Sequence, residues 1–109
     1  MKAIVISHPH YYCTAWDWAQ KFSCPVYISS DDKDWLCQEP YSSRDVKFID
    51  GVNEEIIPGV TAIKIGGHFD GSLVLHWEKK IFIADSLVTV PVGYLTYEDM
   101  SARELLTIK

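Results

Sequence analysis

The chain has 109 residues, 48% apolar and 23% charged, with a formal net charge of −5 and a mean hydropathy of −0.01. That length fits one domain spanning 1–109, with a core of its own and a thin margin of stability. The balance excludes a disordered chain, no apolar run approaches the roughly 18 residues of a membrane-spanning helix, and scattered Lys and Arg on an acidic chain argue against non-specific nucleic-acid binding.

Residues 2–6 read as a short buried strand, β-branched and apolar on both faces. A helix is expected from Thr14 to Phe22, with Thr14 as N-cap and Ala15, Trp18, Ala19 and Phe22 on one face. Trp16 and Trp18 are assigned to helix packing. Cys24 to Ile28 reads as the next strand, with Pro25 at its start where a missing N–H does little harm. Ser29 or Ser30 then caps a short helix over Asp31–Leu36, whose acidic first turn complements the helix dipole. Strand, helix, strand, helix favours a parallel βαβ crossover and an α/β layer.

Residues 38–45 are polar and turn-rich and read as a loop. The second half reads mostly as strand: Val46–Ile49, Val60–Ile65, Ser72–Trp77 and Lys80–Ala84, with Glu78-Lys79 as the turn of a hairpin between the last two. Asp50-Gly51 and Pro58-Gly59 are turn signals, and 96–108 reads as a terminal helix. Cys13, Cys24 and Cys37 form an odd set without a CxxC pair, so no disulfide framework is expected. With no basic segment and long apolar stretch after Met1, a cytoplasmic location is the expectation.

Chemistry points to His8, His10, His68 and Asp85, which read as one metal site built from three separated strand ends. His8-Pro9-His10 follows the first strand, and alternate residues of an extended segment point to the same side. Taken alone the pair is a weak signal, since two nearby histidines are often only polar loop residues. Gly66 and Gly67 before His68 let the backbone turn tightly and approach an ion. Asp85 ends the apolar run Ile81-Phe82-Ile83-Ala84, where an unpaired charge is costly and a cation, a helix N-terminus or several N–H donors would meet it. A capping or turn role is its alternative. Three imidazoles and a carboxylate suit Zn²⁺, and three protein ligands plus water describe a catalytic zinc site.

In this order, His-Pro-His after a strand, Gly-His-Phe-Asp-Gly-Ser at a hairpin entry and Ile-Phe-Ile-Ala-Asp-Ser-Leu, the chain resembles the metallo-β-lactamase-fold hydrolase superfamily. The corresponding family motifs are HxHxDH, a GHTPGS-like turn and a strand ending in Gly-Asp-Thr. The resemblance covers roughly residues 2–90, with its motifs at 8–13, 66–72 and 81–87. It implies an α/β (α+β) domain, an αββα sandwich with mixed sheets, a hairpin in the second half and metals at one sheet edge. It further implies that His8, His10 and His68 occupy the first zinc position and that Asp85 is the carboxylate reaching toward a second metal.

The departures from the family are informative. Its Asp-His pair falls at Tyr12 and Cys13, and no histidine follows Asp85, so one zinc ion is expected and the second position is dismantled. His76 reads as a surface or core histidine and Cys13 as a buried thiol in preference to a thiolate ligand. The chain is short for the family, so the sandwich is expected to be incomplete, with open sheet edges closed by a homo-oligomer or a partner. Two functions follow from the resemblance. One is hydrolysis of a small-molecule ester, amide or thioester, with Asp85 as fourth ligand or catalytic base. The other is a catalytically inactive domain, metal-binding or a metal-free scaffold, acting through protein partners. Tyr11, Tyr12, Phe69 and 91–97 are the candidate substrate contacts, with Tyr12 and Phe69 reading equally well as packing residues.

Overall fold

The computed structural model describes residues 1–36 and 46–86, so the loop read at 38–45, the helix read at 96–108, the 91–97 segment and Cys37 lie outside the described residues. Strand β1 is shorter than its apolar run, Ile4–Val5 alone, with the N–H groups of Ile4 and Ile6 donating to the carbonyls of Pro25 and Tyr27 at 3.0 Å. Helix α1 spans Ala15–Phe22. Thr14 precedes it, yet its side chain makes no capping hydrogen bond, and Ser23 ends it in the left-handed conformation.

Ala15 and Ala19 bury the helix face against the sheet. Trp18 and Phe22, expected on that same face, remain partly exposed and stack on each other with ring centroids 5.8 Å apart. Strand β2, Val26–Ser29, is buried along its whole length. It pairs in parallel with β1 on one side and with β3, Val46–Ile49, on the other. The expected βαβ crossover is therefore present. The segment after β2 is a 3-10 helix over Ser30–Trp35, where an α-helix was expected, and Ser29 is its cap, accepting from the Asp31 N–H at 3.3 Å.

The antiparallel half is a meander of β4 (Asn53–Ile57), β5 (Val60–Lys64), β6 (Leu73–Trp77) and β7 (Lys80–Phe82). Strand β4 was not expected. Its Glu54 and Glu55 interrupt the apolar pattern because both face solvent, and the Pro58-Gly59 signal marks the turn that joins it to β5. The β6–β7 hairpin turns at Glu78-Lys79 as read, with Trp77 paired to Lys80.

Successive residues of a strand face opposite sides, and β2 distributes its side chains accordingly. Val26 and Ile28 join Tyr12, Ala15, Ala19 and Val46 in a core beneath the helix. Tyr27 joins Ile49, Ala62 and Leu73 in a second core between the two sheets. Each fully buried aliphatic side chain stabilises the fold by about 1.5–3 kcal/mol. The result is a mixed α+β arrangement of helix, parallel sheet and antiparallel sheet. Among the described residues no helix is long and apolar enough to cross a membrane.

Candidate metal centre

The two sheets meet where β1 ends and β6 begins. The Leu73 N–H donates to the Ser7 carbonyl at 2.8 Å, which brings the His8 segment beside the loop that carries His68. His8 is the extended residue before a 3-10 turn over Pro9–Tyr11. His10 lies within that turn, so the two rings converge because the chain curls after His8. The expected alternation of an extended strand does not operate here.

The 66–72 loop is closed from within. Gly66 and Gly67 have φ of +66° and +94°, values that non-glycine residues rarely adopt. The Ser72 carbonyl accepts from the N–H groups of Ile65 and Gly66, and its hydroxyl accepts from the Phe69 N–H at 2.9 Å.

Four donors gather at this junction. Ring centroids lie 5.0 Å apart for His8–His10, 4.9 Å for His8–His68 and 5.1 Å for His10–His68. Asp85 Oδ2 is 3.1 Å from His8 Nε2, 3.8 Å from His68 Nε2 and 4.0 Å from His10 Nδ1. One ligand atom from each residue lies within 4.8 Å of all the others. Tetrahedral zinc with nitrogen bonds near 2.0 Å sets its donors roughly 3.3 Å apart, so modest side-chain rotations close this set around an ion.

His8 supplies the sharpest test of that fit. It is 2% exposed, and its Nε2 is buried without a hydrogen-bond partner, with the Asp85 carboxylate 3.1 Å away. Ser7 Oγ lies 2.9 Å from the other ring nitrogen. With the proton on Nδ1 shared to Ser7, Nε2 presents a lone pair toward a carboxylate, an arrangement that asks for a cation between them. Burial pushes the His8 pKa below its ordinary value; the Asp85 carboxylate opposes the shift, and the His68 and His10 charges add to it. A neutral imidazole is the form that binds metal. His10 and Asp85 occupy the open side, with side chains 57% and 48% exposed.

Several expectations need correction. Strand β7 ends at Phe82, and Ile81, Phe82 and Ile83 are 62%, 53% and 45% exposed, so Asp85 does not terminate a buried apolar strand. Its carboxylate is explained by its three imidazole neighbours instead. Cys13 is exposed, contrary to its reading as a buried thiol. Tyr12 is buried in the helix-side core, where packing accounts for it, and burial together with the Asp32 charge raises its phenol pKa. Phe69 is half-buried, stacked on His8 at 5.8 Å and edge-on to Trp35 at 5.3 Å. His76 is an exposed residue of β6.

The sequence reading overlooked the residues that grip the histidine loop. Asp32 is fully buried and its Oδ1 accepts from the Gly71 N–H at 3.0 Å, while Lys64 pairs with Asp31 at 2.8 Å beside it. In the sequence Asp31 and Asp32 read only as acids complementing a helix dipole. A contact across 39 residues leaves no local signal in the chain.

No family model matches the chain. It is 43% identical over 79 residues to a Bacillus subtilis (strain 168) protein named "Uncharacterized protein YmaE". The match takes in 72% of this chain and 28% of that protein, so the chain spans little more than a quarter of the relative's length.

Proposed function

We propose that this chain is a divergent metallo-β-lactamase-fold protein that holds one zinc-class ion on His8, His10 and His68, with Asp85 beside them, and hydrolyses a small ester, amide or thioester. The observation that carries the reading is the meeting of four nitrogen and oxygen donors, from three distant segments, around a buried His8 Nε2 with no hydrogen-bond partner. The helix–sheet–sheet layering and the position of the donors at the sheet junction support the fold assignment. An ion held by His8, His10 and His68 would supply Lewis acidity here, polarising a carbonyl and lowering the pKa of a water toward neutral.

The chain's own residues divide the remaining work. Ser7 fixes the His8 ring, the closed 66–72 loop fixes His68, and the exposed Asp85 carboxylate is placed to take a proton from a water on the open side. Phe69 and the exposed Tyr11 and Trp35 offer apolar contact to the acyl part of a substrate. A second reading has its own support. Asp85 Oδ2 lies within 4.0 Å of all three imidazoles, so it can serve as a fourth ligand and close the site, leaving a metal-stabilised scaffold without turnover.

Metal analysis of the purified protein, followed by chelation and assay against chromogenic esters and thioesters, separates the two. The hydrolase reading expects one ion per chain and turnover that is lost on chelation and restored by zinc. Loss of thermal stability on chelation with no turnover at any stage favours the scaffold. A folded protein that binds no zinc overturns both.

A further inference from the structure

We propose that Asp32 is the positioning residue of this centre, the group that holds the His68 loop in register with His8 and His10, a role that rests on the metal-centre reading above. Asp32 is 1% exposed and reaches across from the segment after β2 to the Gly71 N–H, three residues from His68. The fit around that contact is tight. A Cβ on Gly71 would stand 2.5 Å from Ser29 Cβ and 2.7 Å from Asp32 Oδ2, so the loop lies directly on Ser29 and Asp32. From Gly71 the restraint passes to Ser72, whose hydroxyl and carbonyl fix Phe69, Ile65 and Gly66 on both sides of His68.

Stability alone does not account for an acid here. The second oxygen, Oδ2, is buried with no hydrogen-bond partner. A buried carboxylate so placed is a net liability, and a well-packed apolar side chain of similar volume is often at least as stable. What an apolar residue cannot do is accept the Gly71 N–H and so fix the direction of the loop. Outer groups that orient ligands in this way typically govern metal affinity by about ten- to a hundred-fold.

The test compares Asp32→Ala with Asp32→Asn in the full chain, because asparagine keeps an oxygen acceptor for Gly71. Zinc affinity is measured by competition with a chromogenic chelator, and cobalt is used as a spectroscopic probe of the ligand set. Asp32→Ala is expected to lower affinity by about ten- to a hundred-fold and to weaken the visible bands of the four-coordinate cobalt complex. Asp32→Asn is expected to restore both. Val26→Ala, which thins the helix-side core, should lower the melting temperature and leave the cobalt spectrum unchanged. Amide exchange at Gly71 in metal-free protein should quicken in Asp32→Ala and remain slow in Asp32→Asn.

An Asp32→Ala protein with unchanged affinity and spectrum overturns the proposal, as does an Asp32→Asn protein as impaired as the alanine variant. Failure of Asp32→Ala to fold while Asp32→Asn folds makes Asp32 a folding residue and also overturns it. If the unaltered protein binds neither zinc nor cobalt, the metal-centre reading falls and this role falls with it. Gly71 exchange then still reports separately whether Asp32 holds the loop.

Discussion

His8 and Asp85 face each other at 3.1 Å, yet the chain holds them in opposite ways. His8 is sealed at the sheet junction, with Ser7 on one ring nitrogen and the neighbouring backbone tied to Leu73. Asp85 stands three residues past the end of β7, on an exposed segment. His68 belongs with His8, on a loop closed by its own backbone and gripped by Asp32, whereas His10 belongs with Asp85 on the open side. The difference teaches how a small domain builds such a site. One half is fixed by packing and backbone hydrogen bonds, and the other stands open to solvent.

The largest effect should come from the sealed half. His8→Ala is expected to lower zinc affinity beyond the ~100-fold that loss of an outer-shell partner can cost, read by competition titration. Gly71→Ala is expected to come next. The added methyl meets Ser29 and Asp32, and overpacking of this kind destabilises by about 1–3 kcal/mol, measurable by denaturant unfolding and accompanied by weaker metal binding.

Asp85→Asn tests the open half and should cost zinc affinity no more than about tenfold, or 1.4 kcal/mol, while hydrolysis falls by roughly 10²- to 10⁴-fold if the carboxylate is the base. An Asp85→Asn loss as large as that of His8→Ala would erase the distinction between the halves. The smallest effect concerns pH. Burial, chiefly, raises the Asp32 pKa; the Gly71 hydrogen bond and the Lys64 charge oppose the shift, and Asp70 and Asp31 reinforce it. A raised folded-state pKa for an acid means that its favourable contribution is complete below the unfolded value and is lost as pH rises through the folded one. Asp32→Asn should therefore match the unaltered protein in acid and become the more stable of the two toward neutral pH, as read by melting curves at a series of pH values.

The four donors were legible in the sequence because they fall together in one order along the chain. Each pattern alone has an ordinary alternative, a loop histidine or a capping acid, and the motif order is what linked the four. His8 and His10 converge through a turn, and Asp85 is accounted for by the imidazoles around it, since the run before it is exposed. The crossover and the last hairpin were legible from apolar runs and turn signals. Strand β4 was not, because strand pairing with β5 fixes a segment whose exposed Glu54 and Glu55 hide it. Asp32 was invisible for a different reason. Its role depends on which distant backbone amide it meets, and only the folded chain settles that.

The hydrogen bond from Leu73 to Ser7, the Gly71–Asp32 contact and the Lys64–Asp31 ion pair lie along one seam between the parallel and antiparallel halves. The two sheets have separate strand orders and share the core around Tyr27, Ile49, Ala62 and Leu73. An ion bound across that seam makes separation of the layers and loss of the ligand one event. At a free concentration a hundred times its Kd it adds about 2.7 kcal/mol to the folded state, and melting should sharpen accordingly. Zinc availability would then set the lifetime of the folded chain as well as its chemistry.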